Sequence, residues 1–573
     1  MPLTFTNNRV TSWQVKKIAV VGPGIVGMPM AALLAHARIR EGGESPATVT
    51  VIQRNSPTSG WKVDSINSGR SPIGGIEPDL DRIVSESVAA ELLGASHDYA
   101  AARDADVILV CTQTDKRGMA PDYGPLFEAL DGIAKELTQR PAGNVPLVVF
   151  ESTLAPSTMT TLVRELFARH GLVEGRDVLL GNSPNRVMPG RLVERVASSD
   201  KVVAGLHPDT PGLIERLYRR IVTRGKLHLT NSMTAEVVKT LENAYRDVRI
   251  AYAAEVARFC DAEGIDFYAL RDQVNARLQQ EDAASADPNA VPSGGLLVPT
   301  VGVGGHCLPK DGILLWWRAL EAGSDTSRSL ILESRKINDA SPEETIKLAE
   351  KAFGPLKGRA VALLGAAYRF NSEDTRNSPT LSLARQLLNL GAQVAIHDPY
   401  VYPTDQNLKK TELTALFSRD LKQVVASAEV IFLCTGHREY LERRTELLDA
   451  ARKAVGVVDG CNLWHADSVA GRGLGYAGIG RGAIPPKAVL VDAVTQGFRA
   501  VETGVGNEVD GLARFLNQRY AADGFNQVQF SEVQRIAGTC ITGCDIAAPG
   551  AVQRPAAKGG FRSRLVTVAA GSA

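Results

Sequence analysis

Excess charge of one sign is missing from this 573-residue chain: 64 Lys and Arg stand against 63 Asp and Glu, a net charge of +1. No global field therefore recruits nucleic acid or an anionic membrane surface. Long apolar runs are missing too. None reaches the length that spans a bilayer, and the opening residues, MPLTFTNNRVTSWQVKK, hold no apolar signal core. The seven cysteines are odd in number and lack framework spacing, which points to reduced thiols rather than disulfides. Cys540 and Cys544 have no second pair or histidines beside them and read as ordinary thiols, so no metal site is expected. With 44% hydrophobic and 22% charged residues, the composition is that of a folded globular protein. The expectation is a soluble, cytoplasmic protein of roughly three or four domains, with neither nucleic acid nor membrane as a partner.

What is present is an α/β pattern, twice over. Ile18-Ala19-Val20-Val21 reads as a short buried strand that runs into Gly22-Pro23-Gly24-Ile25-Val26-Gly27 and then an apolar helix over Met28 to Leu34. Strand, glycine turn and helix in that order are the context in which a GxGxxG motif binds a dinucleotide, its pyrophosphate against the helix N-terminus. A second strand, Thr48 to Ile52, ends in Gln53 and Arg54. An NAD site usually has an acid there for the ribose 2′-hydroxyl, whereas an arginine suits the 2′-phosphate of NADP. Either Gln53 bonds the ribose of NAD with Arg54 solvated, or Arg54 takes NADP.

Further strands close on Glu151-Ser152-Thr153 and on Ser183-Pro184-Asn185-Arg186, the carboxyl ends where parallel sheets bind ligands. A long helix follows from Thr234 to about Glu263, with Val237, Leu241, Ala244, Val248 and Tyr252 as its buried stripe. Lys239 and Asn243 are four apart and share a face. Gln279 to Gly295 reads as an aperiodic loop. From about residue 340 a second α/β series begins, with strands Val361 to Gly365, Val394 to Ile396, Val430 to Cys434 and Val455 to Asp459. Val505, Val509, Leu512, Phe515, Leu516 and Tyr520 then describe an amphipathic helix.

The most informative stretch is Gly302-Val303-Gly304-Gly305-His306-Cys307-Leu308-Pro309-Lys310-Asp311. Pro309 fits the first turn of a helix continued by the apolar residues Ile313 to Leu320. A thiol at such a helix start feels the partial positive charge of unpaired N–H groups, which favours the nucleophilic thiolate. A buried structural cysteine after a glycine turn is the other reading.

Taken together, GPGIVG, ESTLAPST, SPNRVMPG, KTLENAYRDVRIAYAAE, GVGGHCLPKD, GAAYRFNSEDTRNSP and HDP resemble the UDP-glucose/GDP-mannose dehydrogenase family over roughly residues 15 to 482. The resemblance implies two Rossmann-like domains joined by a long central helix, in a homodimer or higher homo-oligomer. It places a dinucleotide-binding domain at 15–206, a central helical domain at 207–339 and a UDP-sugar-binding domain at 340–482. An extension of unassigned role covers 483–573.

It further implies oxidation of the primary alcohol of a UDP-sugar to a carboxylate with two nicotinamide cofactors per sugar, NAD by the resemblance, with NADP left as the alternative by Gln53 and Arg54. Cys307 is then the nucleophile that forms a thiohemiacetal and a thioester. Lys239 stabilises the alkoxide, Asn243 assists, Asp311 handles water and Thr153 orients it. Thr114 and Thr153 join Gly22, Gly24, Ile25, Val26, Gly27, Gln53 and Arg54 around the cofactor. Asn185, Arg186, Lys239, Asn243, Gly304, Gly305 and Arg369 surround the substrate.

Four positions depart from the family pattern: Gln53 for an acid, Asn185 for a glutamate, Arg369 for a lysine and Cys461 for an arginine. Asn243-Ala244-Tyr245-Arg246-Asp247-Val248 and His306 before Cys307 resemble the branch that acts on UDP-N-acetylhexosamines. A UDP-glucose 6-dehydrogenase is the alternative within the family, and two other classes compete, a β-hydroxyacid dehydrogenase and a catalytically weakened homologue that binds a nucleotide sugar but turns it over poorly.

Overall fold

A computed structural model describes residues 3–6, 9–117, 120–187, 189–284 and 294–484. They divide into two compact units. The first takes the described residues of Met1–Asp247, His306–Glu333 and Asn371–Glu373; the second takes those of Val248–Gly305, Ser334–Phe370 and the chain from Asp374 on.

The first unit is built on an eight-stranded sheet. Its strands are β1 (Lys17–Val21), β2 (Thr48–Ile52), β3 (Leu93–Ser96), β4 (Val107–Val110), β5 (Leu147–Phe150), β6 (Leu179–Asn182), β7 (Lys201–Gly205) and β8 (Leu227–Asn231). They lie in the order β3-β2-β1-β4-β5-β6-β7-β8, parallel except for the antiparallel pair β6 and β7. The central strands β1, β4 and β5 read as near-continuous apolar runs because both faces are covered. Ile18, Val20, Val49 and Val51 enter one core, while Ala19, Val21, Ile108 and Val110 enter the other. The strand order reverses between β1 and β4, which opens a crevice at their carboxyl ends. Helix α1 (Gly27–His36) starts from that crevice. The sheet runs on to Asn231, past the boundary expected at 206, because β8 pairs with β7 over its whole length.

Helix α2 (Ser232–Glu263) follows. Its buried stripe differs from the expected one: Ala244 is buried, but Leu241 and Tyr252 are more than half exposed. Helical periodicity identifies a stripe, not the surface that covers it. Helix α3 (Phe267–Ala284) runs well into the segment expected as a loop from Gln279. Helix α4 (Leu308–Glu321) begins directly after Cys307 with Pro309 in its first turn, as its sequence indicated.

In the second unit, α5 (Leu330–Phe353) leads to β9 (Ala360–Leu364), α6 (Pro379–Leu390), β10 (Gln393–His397), β11 (Phe417–Ser418), β12 (Val430–Leu433), β13 (Gly456–Asp459), β14 (Gly475–Gly478) and β15 (Gly482–Ile484). The order β11-β10-β9-β12-β13-β14-β15 repeats the reversal of the first sheet. The amphipathic helix expected over Val505 to Tyr520, with Cys540 and Cys544, lies outside the described residues. Among the described residues no helix is long and apolar enough to cross a membrane, and no three His, Cys, Asp or Glu residues are grouped to hold a metal ion.

Candidate active site

The turn after β1 is shaped by its glycines unequally. Gly22 has φ +95°, and a Cβ there would meet the Cys111 carbonyl oxygen at 3.1 Å. A Cβ on Gly27 would stand 2.1 Å from the Gly22 oxygen. Gly24 is different: nothing lies within 4 Å of its Cβ position. The first and last glycines are therefore required by the protein itself, while the middle one borders open space at the start of α1. Ile25 and Val26 pack against the core, so what they offer a dinucleotide is backbone N–H. A pyrophosphate fits this cradle of helix N-terminal donors.

At the end of β2, the Gln53 amide nitrogen donates to the Ser59 hydroxyl at 2.9 Å and the Arg54 carbonyl at 3.1 Å. Its oxygen is left as an acceptor for a ribose hydroxyl. Arg54 is paired with Glu128, so its charge is already answered. Both features suit NAD over NADP.

A second cluster forms around α4. The Cys307 carbonyl accepts from Asp311 N at 2.8 Å, so the thiol stands at the helix start. The Asp311 side chain is fully buried and accepts from Asn243 Nδ2, which ties this helix to α2. Its other oxygen, Oδ1, takes no hydrogen bond and lies 3.5 Å from Lys310 Nζ. Lys239, one turn before Asn243, is buried without an ion-pair partner among the described residues. A buried, unpaired ammonium is tolerated where a ligand supplies the counter-dipole or charge.

Lys310 was not among the expected site residues, yet it is buried and donates to the Thr114 carbonyl at 3.0 Å and hydroxyl at 2.9 Å. The Thr114 hydroxyl donates in turn to the Thr153 carbonyl at 2.7 Å. His306 also bonds the Thr114 carbonyl. One chain of contacts thus links the cysteine helix to the turn that carries Thr153. The nearness of Lys310 to Asp311 was the signal for it in the sequence.

Asn185 belongs to a buried network at the ends of β5 and β6. Glu151 receives Lys201 Nζ at 2.7 Å, Asn185 Nδ2 at 3.1 Å and the Tyr218 hydroxyl. Burial pushes the Lys201 ammonium below the usual lysine range, against the pull of Glu151. The Asn185 oxygen accepts from Val187 N at 2.8 Å, so both ends of this amide are engaged. Arg186 pairs with Glu242 of α2 at 2.7 Å.

The remaining expected residues lie in the second unit. Gly305 has φ +85°, donates to the Arg376 carbonyl at 2.8 Å and accepts from Asn377 Nδ2 at 3.0 Å. Cβ atoms on Gly304 or Gly305 would strike Tyr368 at 2.3 and 2.9 Å. The glycines let this loop lie flat on the tyrosine. Beside it, Arg369 sits over the Phe370 ring with its guanidinium carbon 5.3 Å from the centroid. Asp398, in the HDP motif, steadies the same segment by accepting from Ala367 N at 2.9 Å and from His437 Nε2 at 3.0 Å. Asp459 caps the loop after β13 through the N–H groups of Cys461, Leu463 and Trp464, and burial pushes the Cys461 thiol up.

Models of the UDP-glucose/GDP-mannose dehydrogenase family match along the chain: its NAD binding domain at residues 16–222, its central domain at 233–340 and its UDP binding domain at 362–466. The chain belongs to this family. It is an NAD-dependent nucleotide sugar dehydrogenase.

Among relatives, it is similar to the UDP-N-acetyl-D-mannosamine dehydrogenase of Pyrococcus horikoshii, 32% identical over 472 residues that cover 82% of this chain and 100% of that one. The NDP-N-acetyl-D-galactosaminuronic acid dehydrogenase of Ralstonia nicotianae is 29% identical, covering 79% of this chain and 98% of its own. Among solved structures, the P. horikoshii UDP-D-ManNAc dehydrogenase superposes with a TM-score of 0.66 at 31% identity over 81% of this chain and 99% of that one.

Against the family pattern, this dehydrogenase meets the missing acid at position 53 with the free amide oxygen of Gln53. Position 185 is filled by an amide that joins the Glu151 network. When bound, NAD supplies the hydride acceptor, and Gly22 to Gly27 with Gln53 would hold it.

Proposed function

We propose that the enzyme oxidises the terminal primary alcohol of a UDP-N-acetylhexosamine, such as UDP-ManNAc or UDP-GlcNAc, to the uronate. Each sugar gives up two hydrides and takes one water. The observation that carries this reading is the convergence, within one unit, of the Cys307 helix start, the Asn243–Asp311 bond and the unpaired Lys239. Lys239 holds the alcohol oxygen and stabilises the negative charge left on it as its proton passes to water and the first hydride leaves. The Cys307 thiolate adds to the resulting aldehyde carbon to give a thiohemiacetal, whose oxygen Lys239 and Asn243 hold. Loss of the second hydride leaves a thioester. Asp311, through the Oδ1 that takes no hydrogen bond, accepts a proton from water oriented by Thr153, the C–S bond breaks, and Cys307 departs as the thiolate.

The named relatives and His306 before the cysteine support an N-acetylated sugar. In the first unit Asn185 and Arg186 are proposed for the UDP-sugar; in the second unit, taken by itself, Gly304, Gly305 and Arg369 are proposed by the family resemblance.

The exposed apolar stripe Leu241, Tyr245, Tyr252 and Phe259 on α2 is the surface proposed for a homodimer contact. A cytoplasmic location suits a thiol nucleophile and the five free cysteines among the described residues.

The deciding assay supplies UDP-ManNAc, UDP-GlcNAc and UDP-glucose with NAD and counts NADH against uronate. Two NADH per acid with an N-acetylated sugar, and loss of turnover by about a thousandfold or more in Cys307→Ser, are expected. Preference for UDP-glucose would overturn the sugar. Full activity in Cys307→Ser would overturn the covalent route, and binding without NADH formation would mark a homologue that has lost turnover.

A further inference from the structure

Ser157 has φ +68°, a left-handed conformation that a non-glycine residue adopts only when its surroundings impose it. It is 7% exposed and lies in the turn that leads away from Thr153. What imposes the conformation is visible. Glu236, itself 1% exposed, spans the turn with both carboxylate oxygens. Oε2 accepts from Ser157 N at 2.7 Å and Oε1 from Met159 N at 2.8 Å. Arg318 of α4 donates to the Ser157 hydroxyl. Farther back, the Tyr123 hydroxyl accepts from Ala155 N at 2.7 Å, and Thr114 holds the Thr153 carbonyl.

Glu236 sits on α2 three residues before Lys239, on the helix that also carries Asn243. Arg318 sits on the helix that begins with Cys307 and Asp311. The clamp on Ser157 therefore joins the helices of the nucleophile and the lysine to the turn of the water-orienting threonine. A carboxylate buried to this degree without a cation in its first contacts is an expensive choice for simple packing.

We propose that Glu236 is a positioning residue for the hydrolytic step: by pinning the strained Ser157 turn to α2, it sets Thr153 relative to Lys239, Asn243 and Asp311. In Glu236→Gln the amide keeps one acceptor oxygen, so one of the two buried N–H groups faces an NH2 instead of an acceptor and Ser157 relaxes from the left-handed region. Thr153 then shifts, and misplacement on the scale of an ångström is enough to slow a positioned reaction strongly. The inference rests on the thioester route proposed above.

The test compares Glu236→Gln in the wild-type enzyme and in a Ser157→Gly background. In rapid mixing, formation of the first two NADH should keep the wild-type rate, while steady turnover falls about tenfold or more. KM for NAD and UDP-sugar should stay within about threefold. Because glycine holds φ +68° without help, the same Glu236→Gln change in the Ser157→Gly background should lower steady turnover by no more than about threefold.

An equal loss in both backgrounds would overturn the clamp, as would a Glu236→Gln enzyme with wild-type steady turnover. Slowing of the first two NADH together with steady turnover would show a general structural role and overturn it too. Should Glu236→Gln fail to fold, Glu236→Asp replaces it. Its shorter carboxylate reaches one N–H, and wild-type turnover there is equally fatal. A wild-type enzyme that forms NADH but no covalent adduct at Cys307 would instead refute the underlying route.

Discussion

The glycine turn after β1 allows a sharp separation of folding from binding. In Gly27→Ala the new methyl would stand 2.1 Å from the Gly22 carbonyl oxygen, and backbone cannot rotate away as a side chain can. Relief requires α1 to move off β1, an overpacking cost of about 1–3 kcal/mol. For a unit of this size that lowers the melting temperature by roughly 2–12 °C. In Gly24→Ala the methyl meets nothing within 4 Å, and the backbone there is not left-handed, so the fold should be untouched or slightly firmer. The same methyl would occupy the space proposed for the pyrophosphate. Forced displacement of about 1–3 kcal/mol weakens NAD binding roughly 5- to 150-fold. Calorimetric melting and NADH titration, run on both variants, give the answer. A Gly24→Ala protein that binds NADH as tightly as wild type would refute the placement of the cofactor, and a Gly27→Ala protein with unchanged melting would refute the packing argument.

Cofactor choice should respond to the Arg54–Glu128 pair: Glu128→Ala frees the guanidinium and should raise NADP use relative to NAD by up to about fivefold, the scale of an exposed ion pair. Gln53→Asp should move the same kcat/KM ratio the other way. A ratio unmoved by either change would mean that the end of β2 does not face the ribose. In the second unit, Asp261 accepts from Gly480 N at 3.0 Å and Gly482 N at 2.8 Å, yet burial pushes its carboxyl from 3.8 up to about 6. Its folded value is raised, so its stabilisation is full below pH 3.8 and is lost as pH rises through about 6, by at most about 3 kcal/mol. Urea unfolding between pH 4 and 6.5 should show this slope in wild type and a flatter one in Asp261→Asn; identical slopes would remove Asp261 from the account.

Much of this protein is determined locally and is legible in the sequence. Strands buried on both faces are near-continuous apolar runs, so β1, β5, β9, β12 and β13 are plain in the sequence to within a residue or two. The GPGIVG turn and the start of α4 at Cys307 are equally plain, because glycine, proline and a cysteine at a helix start act through the backbone within one turn. The family motifs carried the fold and the reaction.

What only the tertiary structure decided is where each polar group's partner lies. Glu236 carries no mark in the chain, Lys310 only its nearness to Asp311, and Asn185 only its departure from the family pattern. Their roles come from Ser157, Thr114 and Glu151, which are 79, 196 and 34 positions away. The stripe on α2 failed for the same reason: periodicity marks Leu241 and Tyr252 as apolar neighbours, but exposure depends on what packs there. Arg54, read alone, suited NADP until Glu128, 74 residues on, neutralised it. Backbone preference acts over a turn of chain and can be read from neighbours; desolvation and hydrogen-bond pairing act through space, and only the folded chain specifies them.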